Sequence, residues 1–431
     1  MTSARYGVRP HFWRVMGGAA VVGLLAGAAC VVYLAVEHVV TRLLWGEGGT
    51  PLGLFTGSLV GVLVVLAAGA LVGWVRHRTG LTGPDPDFIA EMIEGEVPLR
   101  RGVRYGLLGL ISLVGGGSVG PEAPLGTLGG GLGTAVGRRY ERREEATQDL
   151  TFAGISGVFG ALGTFPFAGP IVAWEVHHDR WHEAPHRMLP GIVSATTALA
   201  VVYPLLGTPF LSVYDLGDSD LRVWWIGLAV VLGVAGAALG AVCVLAMTLS
   251  RRWSARVPHV VVRALVGAAV VAAVGYAVPL TLFSGRAQLS GVLEGGVAIT
   301  AGLLVLVLLG KVLTFVVSMS WGFFGGPIFP LVFVGAVAGV LVHQVVPGIP
   351  LVVAVPALAA SVTAALVPLP LMVMVITTML FGLQLELGVI PAVAVVTSTV
   401  LVRGTGLAAW LSGPSRPTGT TARGNEQRPG K

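Results

Sequence analysis

Charged residues are scarce: Asp, Glu, Lys and Arg make up 11% of the 431 residues, against about 25% in an ordinary soluble domain. With 54% hydrophobic residues beside them, that scarcity excludes a soluble globular protein. Cysteine is nearly absent. The two present, Cys30 and Cys243, each sit inside an apolar run, which leaves no disulfide framework and no thiolate metal site. No small-residue cleavage site stands out after the first apolar run, so that run reads as a retained membrane helix. The formal net charge of +6 comes from short arginine clusters between apolar runs, not from a basic stripe on a folded domain, and nucleic acid is excluded as a partner. No cofactor and no metal is called for.

What fills the chain is apolar sequence interrupted by glycine and proline. The longest run without Asp, Glu, Lys or Arg covers 312–385. At about 20 residues per span the chain holds at least ten membrane segments. Arg76 and Arg78, Arg100, Arg101 and Arg104, Arg138, Arg139, Arg142 and Arg143, and Arg251, Arg252 and Arg256 mark cytoplasmic loops by the positive-inside rule. The expected organisation is a cytoplasmic segment over 1–14, a membrane domain over 15–412 in two halves (15–214 and 223–412), and a polar, disordered tail over 413–431. A multi-pass protein of the cell (plasma) membrane is the expected class.

The interruptions carry the functional information. Gly117-Ser118-Val119-Gly120-Pro121 and Gly326-Pro327-Ile328-Phe329-Pro330 share the form Gly-x-x-x-Pro and lie 209 residues apart. Two proline-flanked breaks follow them, at Pro166 and Pro170 and at Pro368 and Pro370. Irregular backbone at membrane depth survives only where protein buries it or it lines an aqueous path. Matched breaks in two halves are the pattern of a transporter or channel site. A helix start offers free N–H groups and partial positive charge, and glycine lets an ion approach the backbone, so the breaks suit an anion. Packing glycines and kinks are the alternative for any single break.

These segments resemble the CLC family of chloride channels and proton/chloride exchangers, over about 15–411. Residues 117–121 look like the family's Gly-Arg/Lys-Glu-Gly-Pro segment. Residues 153–175 are similar to its small-residue helix, proline break and following acid. Residues 311–330 look like its lysine-started helix and Gly-x-Phe-x-Pro segment. Gly83-Pro84-Asp85-Pro86-Asp87 stands where the family has a Gly-Ser-Gly-Ile-Pro loop, which brings Thr82 and Gly83 to the inner end of the path. The resemblance implies an all-α polytopic membrane protein of inverted-repeat architecture with broken, tilted helices. It also implies a homodimer in the lipid bilayer with one pathway per subunit, and an anion site at Gly117, Ser118, Val119, Gly120, Pro121, Gly326, Pro327, Ile328, Phe329 and Pro330.

The departures set the expected mode of action. Where exchangers carry a proton-bearing glutamate the chain has Val119, and where they carry the inner proton glutamate it has Val176. No tyrosine follows Tyr276 to serve the inner gate, and Trp410 is the only aromatic residue after Phe381. The expected activity is passive, proton-uncoupled permeation of small inorganic anions such as chloride. The backbone N–H groups of Ser118 to Gly120 and of Ile328 and Phe329 replace part of the hydration shell; Pro327 has no N–H to give. Glu122 is a candidate displaced gate or a helix cap. Glu175 is a pathway residue or a carboxylate at the membrane edge. Exchange through Glu122, or uniport of fluoride, nitrate or bicarbonate, stands as the alternative. Lys311 is read as lying near the inner vestibule or snorkelling to an interface.

Two enzyme-like patterns also occur. Gly154-Ile155-Ser156-Gly157 matches an intramembrane serine protease, which needs a histidine in reach of Ser156. His182-Glu183-Ala184-Pro185-His186 spells a zinc motif, and Pro185 argues against it. His177, His178, His182 and His186, with Asp179 and Arg180, read as a solvated loop. The chain is not expected to be an enzyme.

Overall fold

The computed structural model describes residues 10–46, 58–83, 85, 95–140, 144–163, 165–176, 184–208, 214–217, 219–294 and 299–406. The histidine cluster at 177–182, most of the 83–87 loop, Trp410 and the tail from 413 lie outside them. The first half holds α1 (Pro10–Trp45), α2 (Leu59–Thr79), α3 (Leu99–Val114), α4 (Glu122–Tyr140), α5 (Glu144–Gly163), α6 (Ala168–Val176) and α7 (Ala184–Leu206). The second holds α8 (Val223–Ser254), α9 (Val260–Ala277), α10 (Arg286–Glu294), α11 (Ala301–Trp321), α12 (Ile328–Val345), α13 (Leu351–Leu366), α14 (Pro370–Leu380) and α15 (Val389–Gly404). Among the described residues the only β-type contact is one antiparallel bridge, between Gly120 and Gly326.

Eight described helices are long and apolar enough to cross a membrane, and α13 and α14 are shorter apolar helices. The expected ten spans therefore include short helices, because glycine and proline cut the apolar runs. Whereas α1 has 36 residues, or about 54 Å at 1.5 Å per residue, the hydrocarbon is about 30 Å thick, so α1 crosses tilted and projects beyond it. It starts at Pro10, ahead of the expected boundary at residue 15.

Small residues bring corresponding helix pairs together in each half. Gly129, Gly133 and Gly137, each four residues apart on α4, face α5 so closely that a Cβ would meet Gly154, Leu150 and Thr147. In the second half Gly335 and Gly339 of α12 meet Ala359 and Val355 of α13 in the same way. Without a hydrophobic driving force between helices in lipid, such close backbone approach is what holds them. These pairs anchor α4 within the first half and α12 within the second.

The arginine clusters collect at one end of the bundle. Arg76 at the end of α2 donates from Nε to Gly322 O at the end of α11 (2.6 Å), and its guanidinium pairs with Asp85 (2.7 Å). Arg104 donates to Thr79 O and Arg138 pairs with Glu96 (2.7 Å). The positive-inside rule assigns such an end to the cytoplasm.

Candidate functional site

The two glycine-rich breaks meet in the interior. Gly120 donates to Gly326 O and Gly326 donates to Gly120 O, both at 2.7 Å. Each glycine is followed by proline and then by a helix start, Glu122 for α4 and Ile328 for α12. The true correspondence is therefore Gly120-Pro121-Glu122-Ala123-Pro124 with Gly326-Pro327-Ile328-Phe329-Pro330, a Gly-Pro-x-x-Pro repeat. The spacing is 206 residues, which corrects the register expected from Gly117. Proline at a helix start lacks an N–H that has no intrahelical partner there, so its repetition marks both starts.

Glu122 sits on this bridge, with 2% of its surface exposed. Its Oε1 accepts the Ile328 N–H at 2.7 Å, and the N–H groups of Phe329 and of Glu122 itself also face the carboxylate. The bridge has no room for side chains. A Cβ built on Gly326 would fall on the Glu122 carboxyl group, and one on Gly120 would fall on Oε2. A helix N-terminus aimed at a carboxylate is an anion cradle holding a tethered anion. The Glu122 Oε2 atom is buried without a hydrogen-bond partner, as is the Tyr33 hydroxyl of α1. Sequence reasoning missed Tyr33, although a tyrosine one turn before a glutamate inside an apolar span is an unusual pattern.

The first break differs from expectation. Gly117 donates to Ser112 O, Ser118 to Ser318 Oγ, Val119 to Gly117 O and Gly120 to Gly326 O. All four N–H groups are committed to holding the loop in this conformation. Ile328 and Phe329 turn their N–H groups to the Glu122 carboxylate. The Pro121 carbonyl accepts from Leu125, and Pro330 is the third residue of α12. Val119 is fully buried in a cluster with Leu113, Leu125, Val158 and Phe329.

Two cavities reach the joined helix starts. A vestibule of about 850 Å³ opens among Arg76, Arg251, Arg263, Thr82 and Gly83 and reaches Ala123 and Pro327. On the other side a narrow apolar cavity of about 30 Å³ lies among Glu122, Phe159, Phe165, Phe329, Met372 and Leu380, room for one or two waters. Thr82 and Gly83 line the vestibule.

Glu175 caps a second break. Its carboxylate accepts the N–H groups of Leu371 and Met372, the latter at 3.0 Å, at the start of α14. Each half-one carboxylate therefore closes a half-two helix start, Glu122 on α12 and Glu175 on α14. The expectation for Lys311 is corrected. It is fully buried, donating to the carbonyls of Thr281 (3.3 Å), Leu282 (3.1 Å) and Phe283 (2.6 Å), and it lies over the Phe333 ring. It closes a turn instead of lining the vestibule.

Among the described residues the protease pattern finds no histidine partner. Ser156 is buried against Gly169 and Gly191, while His343 bonds Ile349 O at the far end of α12. Among the described residues no group of three His, Cys, Asp or Glu is placed to hold a metal.

This is a polytopic, all-helical membrane protein built as an inverted repeat, with two broken helices meeting at the Glu122 carboxylate. The family described as "Voltage gated chloride channel" matches residues 64–403, and the chain belongs to that CLC family. It is 26% identical over 347 residues to "Putative ion-transport protein YfeO" of Escherichia fergusonii, covering 78% of this chain and 81% of that one. The same protein of Shigella flexneri is 26% identical over 345 residues, with the same coverage of each chain. A CLC-type fluoride/proton antiporter is similar in structure at TM-score 0.73 and 20% identity, covering 89% of this chain and 95% of that one. A slow cyanobacterial Cl-/H+ antiporter is similar at TM-score 0.76 and 19% identity, covering 95% and 100%. Those structural likenesses establish the fold.

Proposed function

We propose that the chain carries small inorganic anions of the chloride type through a pathway in each subunit of a homodimer in the plasma membrane. Glu122 closes that pathway. The observation that carries the reading is the Glu122 carboxylate on the Ile328 N–H, because a carboxylate held there competes with a free anion for the same donors. Protonation removes the competing charge and frees the donors. Flux then follows the anion gradient and the membrane potential without a fixed proton count, since Val119 and Val176 stand where the family's exchangers have carboxylates.

A second reading, proton-coupled exchange through Glu122, is favoured by the same buried carboxylate and by the likeness to two antiporters. Anion efflux from proteoliposomes under a clamped potential separates the two. Chloride is compared with fluoride and bicarbonate while a pH gradient is imposed. Chloride movement driven by the pH gradient alone, at zero chloride gradient, establishes exchange; movement that stops there establishes passive conduction. No flux of any of the three anions overturns the assignment.

A further inference from the structure

The family match begins after α1, but α1 sends one polar side chain to the site. Tyr33 is 6% exposed, and its hydroxyl has no hydrogen-bond partner. It packs in the same cluster as Val119 and Phe329. A Cβ on Gly109 would come 3.3 Å from the hydroxyl and would also touch Pro124 in the first turn of α4. A phenylalanine would fill this space without burying an unpartnered hydroxyl, which is costly. Glu122 Oε2 is buried and unpartnered as well.

One helical turn beyond Tyr33, on the same face of α1, is Glu37. It is half-buried and interacts electrostatically with His38 and Arg286. The Tyr33 hydroxyl in turn feels the charges of both Glu37 and Glu122. Glu37 is within reach of water and Glu122 is sealed from it, and the hydroxyl, one turn from Glu37, adjoins Gly109 beside Pro124, two residues from Glu122. With the arginine-rich end cytoplasmic, Glu37 and Arg286 lie toward the outer face. On α1 itself the other charged groups are Arg14 and, beyond Glu37, Arg42; on the helices packed against it, Arg100, Arg101 and Arg104 of α3, Arg138 and Arg139 of α4, Glu144, Glu145 and Asp149 of α5, and Arg187 of α7 lie toward the cytoplasmic ends.

We propose that Glu37 and Tyr33 form a proton relay between the outer face and Glu122. Outer water protonates Glu37. The proton passes to Tyr33 Oη while the hydroxyl's own proton passes to Glu122 Oε2, directly or through one water. One proton is carried inward, no other bond changes, and the reverse sequence returns it to the same face. Tyr33 is a positioning and relay residue that takes no part in holding the anion. The relay rests on the reading of Glu122 as the plug, and it explains how protons gate the path without crossing the membrane.

The test is chloride efflux from proteoliposomes after rapid acidification of the external medium, using the full chain and Tyr33→Phe, Glu37→Gln, Glu122→Gln and Tyr33→Phe/Glu122→Gln variants. Tyr33→Phe and Glu37→Gln are expected to slow the rise of flux by about tenfold or more, the lower range of proton-transfer effects, while reaching the wild-type plateau. Tyr33→Phe is expected to leave the flux of Glu122→Gln unchanged. Activation of Tyr33→Phe at the wild-type rate overturns the relay alone. Equal loss of flux in the Glu122→Gln background also overturns it, by assigning Tyr33 a structural role. Acid activation that persists in Glu122→Gln overturns the plug, and the relay with it.

Discussion

Glu122 Oε1 accepts the Ile328 N–H at 2.7 Å, so the first residue of α4 caps the first residue of α12 across 206 positions of sequence. The two helix starts share one carboxylate over the Gly120–Gly326 bridge. Their partial positive charges converge where that carboxylate lies.

The sign of the pH response follows from that arrangement. The ionised carboxylate holds the donors, and the protonated one releases them, so wild-type anion flux is expected to rise as pH falls. Glu122→Gln keeps the shape and loses the charge. Its flux is expected to be high and flat across the pH range over which wild-type flux changes. Chloride efflux at stepped, symmetrical pH checks this; a Glu122→Gln profile parallel to wild type rejects the plug.

The bridge makes a steric prediction as well. A Cβ at Gly326 meets the Glu122 carboxyl group before anything else. Gly326→Ala alone is therefore expected to expel the carboxylate and lower stability by about 1 to 3 kcal/mol, the usual range for overpacking. In a Glu122→Ala background the same substitution is expected to cost far less, a non-additivity of the size contacting residues show. Thermal unfolding of the four purified proteins in detergent measures the cycle, and additive losses contradict the placement of the carboxylate.

The fold was legible because apolar runs, arginine clusters and proline breaks are local signals. The pairing of Glu122 with the second break was legible only as a candidate, since the register of the repeat is carried by Gly-Pro-x-x-Pro and the longer Gly-x-x-x-Pro pattern masks it. Lys311 escaped a correct reading, and Arg76 showed its end of the bundle but not its partners, for a tertiary reason. The carbonyls that receive Lys311 come from residues 281–283, and Arg76 finds Gly322 O 246 positions away. Nothing near either residue in sequence announces those acceptors. The engagement of the Ser118 to Gly120 donors was hidden in the same way, because Ser318 and Gly326 belong to the other half.

Lys311 is predicted to be structural. Its ammonium has three donors and faces three carbonyls around Phe283, the described non-glycine residue with positive φ, at 59°. Lys311→Met leaves those acceptors without their shared donor, at a cost of about 3 kcal/mol, the scale for breaking a buried charged network. Relative permeabilities for chloride, fluoride and bicarbonate are expected to stay as in wild type. A changed anion preference with unchanged thermal stability returns Lys311 to the pathway.

The vestibule predicts a salt-dependent effect at Asp85. Arg76 lines that cavity with Arg251 and Arg263, and Asp85 neutralises it through a pair in which the arginine is 2% and the aspartate 32% exposed. Asp85→Asn keeps the side-chain volume and leaves Arg76 facing the cavity as an unbalanced cation, still held by Gly322 O and Leu81 O. A cation focused by a concave wall raises the local anion concentration. At low chloride and low ionic strength the variant is therefore expected to conduct about two- to tenfold faster than wild type. At about 1 M salt, where the Debye length falls to about 3 Å, the difference is expected to disappear. Single-channel or ensemble flux recorded over that salt series checks it. An increase that persists at high salt assigns the effect to a change in loop structure instead of to charge, and no increase at low salt removes the vestibule from the anion path.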